Sequence, residues 1–395
     1  MQKATRQQTK VHNSRLVYKR IYDGAGISRA DVARATGLTK TTVSNIVVDL
    51  MGEGLVEENG FGASEGGKPP ILLRAVDEAR HYMGIDLADS IFRGATVNLR
   101  GEIKKRAHKP MENGDGETAL SVVYELIDQL LTDSEVPVRG IGVGAPGLMN
   151  PVQGVVRRSV NLDWRDLHLR ELLEERYKLP CHIANDCQAA ALGEYTFGEN
   201  NQTTDMAVVK VGRGIGSGII MNGVLFFGSG YGAGEIGHLV VVNEGEVCAC
   251  GNRGCLETIA STRAIVKKAQ EIARTNPNSL LNQIASKPAE INTNAVLEAF
   301  RTGDPDMQKL ITEAGTYLGA GMASLVSVLN VKHIVIAGSI SRFGDTLLEA
   351  IKAELVKHSM SIMAEETDVW ISSLGQDIVI KGAASLVLAN EMHLV

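Results

Sequence analysis

Apolar residues recur at helical spacing in three short stretches near the start of the chain. The first covers residues 13–22 and ends at a glycine-rich break. Ser28 and Thr39 stand where side-chain caps begin the second and third stretches, and Gly37 makes the turn between them. Helix, short glycine turn and helix is the plan of a helix-turn-helix. We therefore predict a DNA-binding head over residues 1–76, with a small structural or protein-docking bundle as the alternative.

The predicted third helix is polar at its start and apolar on its other face, so base edges would be read at its start. The candidate DNA contacts, including those at the preceding cap, are Ser28, Arg29, Thr39, Lys40, Thr41, Thr42, Ser44 and Asn45. Two short strands, at residues 55–58 and 71–74, flank a glycine-rich loop and predict a wing. Lys68, on extended Gly-x-Pro backbone in that loop, suits an A·T-rich minor groove. A plain flexible hairpin is the alternative.

Strands and helices alternate through the rest of the chain, which indicates an α/β architecture with functional loops at the carboxyl ends of strands. The main predicted strands are 81–87, 94–99, 140–143, 181–185, 206–211, 218–221, 334–338 and 368–372, and the main predicted helices are 117–131, 166–177, 262–274, 306–329 and 383–390. Residues 75–80 form a short charged connection from the head. We predict a first lobe at 77–193, joined by a closing helix at 380–395, and a second lobe at 194–379.

With 395 residues, the chain is long enough for two or three domains with proper cores. Its net charge of −6 hides an asymmetry, because residues 1–48 carry nine Lys and Arg against two Asp, or +7. The remainder has 31 basic and 44 acidic residues, or −13. This suggests a phosphate-binding head on a body that does not bind polyanions. The sequence has no apolar run of membrane-spanning length and no apolar signal segment, so we expect a cytoplasmic protein with no membrane contact.

Three of the five cysteines lie within eight residues of each other. With the preceding histidine, His238, Cys248, Cys250 and Cys255 form an H-x9-C-x-C-x4-C set. One imidazole and three thiolates have the ligand count and softness of a closed tetrahedral Zn²⁺ site. Cys248 and Cys250 are too close in sequence to bridge comfortably, and an odd trio leaves one thiol over. We predict one structural Zn²⁺ per chain, with a disulfide or buried free thiols as the alternatives.

Two glutamates, Glu235 and Glu257, flank these ligands. Carboxylates that accept hydrogen bonds from vicinal hydroxyls are how a polar pocket holds a sugar, although solvated loop glutamates are the alternative. The pattern E-x-x-H followed by C-x-C-G-x-x-G-C-L-E resembles the signature of the ROK family of sugar kinases and sugar-responsive repressors. The resemblance covers essentially the whole chain, which is similar to the family's group of xylose and N-acetylglucosamine repressors.

This resemblance implies a winged helix-turn-helix followed by the two-lobed, actin-like fold of sugar kinases. It also implies that the histidine binds zinc with one ring nitrogen and a sugar with the other. The sugar-binding residues that it implies are Gly147, Asn185, Asp186, Glu235, His238 and Glu257. In the family's kinases the residue matching Asp186 is the general base. Taken alone, the Asn-Asp pair is more typical of a helix cap.

The phosphate loops depart from the kinase pattern. Residues 86–90 read Asp-Leu-Ala-Asp-Ser where the kinases have D-x-G-G-T. Arg213 stands where threonine is usual, and Ala337 replaces a glycine of the nucleotide site. We therefore expect no productive ATP binding and no catalytic residues, with Asp186 a vestigial base. A sugar-responsive repressor is the favoured hypothesis, and an active sugar kinase with an appended DNA-binding head is the other.

The partners expected are operator DNA and a small sugar effector. One short recognition helix reads too few base pairs for a unique site, so we expect a homodimer or a dimer of dimers on a two-fold operator. Sugar bound between the lobes would close the cleft. Since the head is expected to be joined through residues 75–80 alone, closure should change the spacing of the recognition helices and release the DNA.

Overall fold

The computed structural model describes residues 6–24, 26–63, 69–88, 90–111, 115–132, 134–199 and 203–392. These residues form a small head with its own three-stranded sheet and two α/β lobes, each built on a five-stranded sheet. Lys68 and Asp89, to which the sequence assigned roles in the wing and the first phosphate loop, lie outside the described residues. Among the described residues, no helix has the length and apolar character needed to span a membrane.

The head has the predicted helix-turn-helix. Its elements are α1 (Arg6–Asp23), β1 (Ile27–Ser28), α2 (Arg29–Thr36), α3 (Lys40–Gly52), β2 (Val56–Phe61) and β3 (Ile71–Ala75). The hydroxyl of Ser28 accepts a hydrogen bond from the backbone of Asp31, and that of Thr39 accepts one from Thr42, so both predicted caps are present. Gly37, with φ of 70°, makes the left-handed turn between α2 and α3. The wing strands β2 and β3 pair as predicted, and β1 adds a third strand.

The first lobe contains β4 (His81–Asp86), β5 (Ile91–Val97), β6 (Ile103–Pro110), α4 (Gly116–Thr132), β7 (Val138–Ala145), β8 (Leu148–Asn150), β9 (Val155–Ser159), β10 (Trp164–Leu167), α5 (Leu169–Tyr177), β11 (Cys181–Asn185) and α6 (Asp186–Phe197). Its main sheet has the order β11-β7-β4-β5-β6, in which β4, β7 and β11 are parallel. The carboxyl ends of these three strands therefore meet at one edge. The helix predicted from residue 166 begins only at Leu169, because Asp166 has a left-handed φ of 47° and belongs to β10.

The second lobe contains β12 (Met206–Val211), β13 (Ile215–Met221), β14 (Val224–Leu225), α7 (Glu257–Ala260), α8 (Thr262–Thr275), α9 (Leu281–Ile284), α10 (Thr293–Arg301), α11 (Pro305–Leu329), β15 (His333–Ala337), α12 (Gly344–His358), α13 (Ser361–Glu365) and β16 (Asp368–Ile371). Its sheet has the order β14-β13-β12-β15-β16. The glycines of α11 permit close packing, as expected, because a Cβ at Gly319 would lie 2.4 Å from the carbonyl oxygen of Ile351 in α12. The predicted border between the lobes, after residue 193, falls inside α6.

The closing helix α14 (Ile378–Met392) contacts all three parts of the molecule. Its first turn packs in a cluster with α6 and the second sheet. Its middle lies directly on the first sheet, where a Cβ at Gly142 would be 1.8 Å from the carbonyl oxygen of Ala383. Its last turns, including Leu388 and Met392, join the core of the head. The sequence predicted the return of this helix to the first lobe but not its contact with the head.

The head is not joined to the first lobe through residues 75–80 alone, so that expectation was wrong. The apolar face of α1, with Val17 and Ile21, forms one continuous buried cluster with Tyr82 of the first lobe and Leu388 of α14. At the edge of this cluster the hydroxyl of Tyr22 donates to the carbonyl oxygen of Leu99 at 2.6 Å. The apolar face of α1 therefore packs against both the rest of the head and the first lobe. Burial of this apolar area holds the two parts together.

Candidate functional site

The cleft between the lobes brings together the residues that the resemblance selected for sugar binding. One cavity is lined by Gly147, Asn185, Asp186, Glu235, His238 and Glu257, and Lys210 also contributes to it. Gly147 follows β7, Asn185 ends β11 and Asp186 follows it, all at the carboxyl edge of the first sheet, and the others come from the second lobe. The parallel strands explain this meeting, since their carboxyl ends share one edge.

Asn185 is both a helix cap and a cleft residue. Its side-chain oxygen accepts hydrogen bonds from the backbone of Cys187 and Gln188, and the side chain of Gln188 completes a capping box. Its amide group donates to the carbonyl oxygen of Gly147 at 3.0 Å. Gly147 has φ of 105°, and a Cβ there would lie 2.3 Å from the carbonyl oxygen of Arg158, so the loop requires glycine. The two cleft residues are thus held in place before any ligand arrives.

Asp186 is paired with Lys210, a residue that sequence reasoning missed. The Lys210 ammonium lies 2.7 Å from a carboxylate oxygen of Asp186, and the two side chains are 13% and 9% exposed. Burial lowers the pKa of Lys210, but the nearby negative charges, that of Asp186 first, outweigh it and raise the pKa overall. A lysine in the otherwise apolar strand β12 was the signal that could have found this pair.

Asp86, at the end of β4, is a second buried carboxylate and lies two residues before Ala88, which lines the cavity. It is 1% exposed. One of its oxygens pairs with Arg93 at 2.9 Å, and the other accepts a hydrogen bond from the backbone of Ala88 at 3.0 Å. Burial raises the pKa of Asp86, while the charges of Lys210 and Arg93 lower it and that of Asp186 raises it. The charge of Asp86 therefore interacts with those of Asp186 and Lys210.

The two cleft glutamates differ in surroundings. Glu257 accepts a hydrogen bond from the backbone of Ile215 at 3.1 Å and pairs with Arg263 at 3.3 Å. Glu235 is 46% exposed, with a carboxylate oxygen 3.7 Å from Nε2 of His238. Its partial burial raises the pKa of Glu235, and the His238 charge opposes this. Glu257 is already a structural acceptor, whereas Glu235 keeps hydrogen-bonding capacity for a ligand.

The four predicted zinc ligands converge. The ligand atoms of His238, Cys248, Cys250 and Cys255 all lie within 4.8 Å of one another. Nδ1 of His238 is 3.5 Å from the sulfur of Cys248, and the sulfurs of Cys250 and Cys255 are 3.7 Å apart. The last distance is far longer than a disulfide bond, and all three cysteines are free thiols. A soft N,S set of this spacing fits a tetrahedral metal ion.

The loop that carries the cysteines depends on a glycine. Gly254 has φ of 71°, and a Cβ there would lie 1.7 Å from the carbonyl oxygen of Val242. The backbone N–H of Asn252 is the main cause of a lowered pKa at Cys250. Both features favour a tight turn with a thiolate at its tip, which suits metal ligation.

The candidate DNA contacts on α3 form a polar surface. Thr39, Lys40, Thr41 and Asn45 are exposed, and Thr42 and Ser44 are half-buried. The remaining two predicted contacts have other partners. Ser28 is 5% exposed and caps α2, and Arg29 pairs with Glu58 of the wing at 3.2 Å.

Residues 82–390 match the model of the ROK family, and residues 23–60 match that of the IclR helix-turn-helix domain. A xylose repressor of Caldicellulosiruptor bescii is 32% identical over 382 residues, covering 96% of this chain and 96% of the relative. The chain belongs to the ROK family.

One further relative and one solved structure are similar to this ROK protein. A glucokinase of Halalkalibacterium halodurans is 34% identical over 317 residues, covering 79% of this chain and 96% of the glucokinase. The crystal structure of a ROK family transcriptional regulator, a homologue of the E. coli MLC protein, matches with a TM-score of 0.84 at 26% identity and covers 98% of both chains. The fold is a helix-turn-helix head followed by the actin-like fold of ROK sugar kinases.

Proposed function

We propose that this ROK protein is a sugar-responsive transcriptional repressor. The observation that carries the proposal is the union of an intact helix-turn-helix head with a cleft that gathers six candidate sugar-binding residues. The similarity to a xylose repressor along almost the whole of both chains supports it. The repressor relatives favour a regulator over an enzyme, and the glucokinase keeps kinase activity as the second candidate.

The head would bind operator DNA through the start of α3. Thr39, Lys40, Thr41 and Asn45 are exposed there, with Thr42 and Ser44 beside them. Lys68 of the wing would enter the minor groove. Because a single helix contacts few base pairs, operator recognition would need two heads related by two-fold symmetry, in a homodimer or a dimer of dimers.

The cleft would hold a sugar through its hydroxyl groups. Asp186 and Glu235 contribute carboxylate groups to the lining of the cavity. The Nε2 atom of His238, which also lines it, is the ring nitrogen that faces Glu235. The backbone at Gly147 and the Asn185 side chain line the first-lobe wall with Asp186, opposite Glu235 and His238 of the second lobe. A sugar can contact both walls fully only when the cleft is closed. It would therefore bind the closed state more tightly than the open state and favour closure.

We further propose that the His/Cys₃ cluster holds one structural Zn²⁺ through Nδ1 of His238 and the three sulfurs. Such an ion would fix the loop that carries Glu235 and the ring of His238. Cys255→Ser should abolish zinc retention and weaken sugar binding by about tenfold or more. Cys181→Ser, at an equally buried thiol of the first lobe, is the matched control and should retain zinc. Unchanged sugar affinity in fully zinc-free protein would contradict the structural role.

The loop between β12 and β13 supports the regulator over the kinase. Phosphates are bound by backbone N–H groups that point outward. Here the N–H of Gly212 donates to the carbonyl oxygen of Gly214 at 2.9 Å, and that of Ile215 donates to Glu257 at 3.1 Å. Two donors of this loop are therefore already used within the protein. ATP-dependent phosphorylation of a sugar by the purified chain would favour the kinase.

The decisive experiment measures operator affinity with and without sugar. A panel of sugars is first screened by thermal unfolding, and the stabilising sugar is then added to the complex with operator DNA. We expect sugar to weaken operator binding by about 5- to 150-fold in wild type. Asp186→Asn should lose most of this response while it binds the operator normally in the absence of sugar. Equal operator affinity at saturating sugar in wild type would refute the proposal.

A further inference from the structure

Two buried carboxylates and one largely buried ammonium, which together we call the acidic floor, lie at the cleft: Asp186 and Lys210 line its cavity, and Asp86 lies outside that lining. Asp86 ends β4, Asp186 follows β11, and Lys210 comes from β12 of the other lobe. The carboxylates interact electrostatically with each other and with the lysine. The first lobe thus supplies the two negative charges of Asp86 and Asp186, and the second lobe supplies the positive charge of Lys210.

Enzymes that transfer phosphoryl groups normally hold a divalent cation beside carboxylates in the cleft. A hard cation such as Mg²⁺ is held by carboxylates together with phosphate oxygens, and it neutralises charge as the phosphoryl group moves. The residues here do not fit that ion. An oxygen of Asp186 is already 2.7 Å from the Lys210 ammonium. Both oxygens of Asp86 are also engaged, one by Arg93 and one by the backbone of Ala88.

We propose that the Lys210 ammonium is the resident cation of this acidic floor and excludes a divalent metal ion from it. A dication beside a buried ammonium would be strongly repelled, because charges interact strongly where water is largely excluded. The pair spans the two lobes, so the ammonium neutralises Asp186 without any bound cofactor.

Lys210 gives a second physical reason why the cleft would not act as a kinase site. Altered phosphate loops would weaken nucleotide contacts, but Lys210 removes the metal position itself. Asp186 is left as a hydrogen-bond acceptor for a ligand hydroxyl, and ligand binding in this cleft is independent of Mg²⁺. The inference does not depend on repression of any gene.

The test measures the thermal midpoint of the full-length protein over a titration of Mg²⁺, with no sugar or DNA present. Mg²⁺ is suitable because it binds oxygen ligands and does not compete for the His/Cys₃ cluster. Lys210→Met removes the positive charge and leaves the Asp186 carboxylate without its ion-pair partner. We expect this variant to gain a Mg²⁺-dependent rise of about 2 °C or more at millimolar Mg²⁺, whereas wild type shows none.

Three further variants make the result specific. Lys210→Arg keeps the positive charge and should remain insensitive to Mg²⁺. Lys210→Met with Asp186→Asn should lose the gained response. Lys332→Met is the matched control, because Lys332 also makes a 2.7 Å ion pair, with Glu366, but its side chain is 56% exposed.

Two outcomes would overturn the proposal. One is a Mg²⁺ response of wild type that Asp186→Asn removes. The other is the absence of any gained response in Lys210→Met and in Lys210→Gln, which serves as the second neutral variant if the first does not fold. Because the readout uses neither effector nor operator, this failure is distinguishable from failure of the repressor function.

Discussion

The interface between the head and the first lobe differs in chemistry from the cleft between the two lobes. The former is a continuous apolar cluster in which Val17, Ile21 and Leu388 are fully or almost fully buried. The latter is lined by ionic groups such as Asp186, Lys210 and Glu235. Close-packed apolar surfaces resist displacement, whereas polar groups can exchange partners with a ligand.

This difference predicts which parts of the molecule would move together on closure of the cleft. The head and first lobe form one packed body, so closure of the cleft would carry the head with that lobe. In the proposed homodimer, coupling to DNA would then come from a change in the relative orientation of two such bodies rather than from movement of a loosely attached head. Substitutions at the contacts of α14 with the first sheet and the head, and at the junction of α6 with the second sheet, can test this.

Gly142→Ala should have the largest effect on stability. The new Cβ would lie 1.8 Å from the carbonyl oxygen of Ala383, so α14 would have to leave the first sheet. We expect loss of native packing, or a loss of at least about 3 kcal/mol in unfolding free energy. Gly52→Ala is the control, because no atom lies within 4 Å of its added Cβ. Denaturant unfolding measures both, and equal stability of the two variants would show that α14 is not tightly seated.

Leu388→Ala should destabilise the contact between α14 and the head. This side chain is 2% exposed, and its truncation should cost about 2–5 kcal/mol through lost burial and a cavity. If the head and first lobe are one body, protease cleavage near residues 75–80 should also accelerate. Val328→Ala, at a position that is 80% exposed, should change stability by less than about 0.5 kcal/mol. Destabilisation without faster cleavage would mean that the head stays attached by other contacts.

Arg80→Met should have a smaller effect at the rim of the same interface. Arg80 is 18% exposed and lies 3.3 Å from Glu53 of the head and 3.5 Å from Glu391 of α14. We expect a loss of about 1 kcal/mol that diminishes at high salt. Lys309→Met is the control, since the pair of Lys309 with Glu313 is exposed and 3.9 Å long. A salt-independent loss would assign the effect to packing of the arginine stem instead.

Glu194→Gln should have the smallest effect and reports on the junction of α6 with the second sheet. Burial raises the pKa of Glu194, and Ser372 donates a 2.5 Å hydrogen bond to it. The folded chain therefore keeps this proton at pH values where the unfolded chain has lost it, so stability falls as pH rises from about 4.5 through the raised pKa. Glutamine should remove this fall and raise the thermal midpoint at neutral pH. Glu298→Gln, at an exposed helical position, is the control, and identical pH profiles for both variants would contradict the assignment.

Much of the head and of the metal cluster was predictable because the signals are local. Ser28, Gly37 and Thr39 begin and end helices through contacts within a few residues, and the structure confirms the caps. The spacing of the cysteines likewise specified a set that converges through its own tight turn. The sequence also predicted where the main strands lie along the chain, since each buried strand is a short apolar run.

Other features depended on residues that are distant in sequence. Strands β6, β8, β9 and β10 were missed because they are short, or polar enough to resemble loops, and are stabilised by neighbours in their sheets. The role of Lys210 was hidden because its partner Asp186 lies 24 positions away, in the other lobe.

The attachment of the head was likewise a tertiary outcome. Nothing in the periodicity of α1 shows whether its apolar face covers the head alone or also the lobe, because an amphipathic pattern specifies that a face is buried but not against what. The sequence alone thus determined the capped helices of the head, the apolar main strands and the metal-ligand set, and the resemblance that it carries selected the candidate sugar-binding residues. Only the tertiary structure decided which charges meet in the cleft and which surfaces pack together, because those contacts join segments whose separation along the chain carries no local signal.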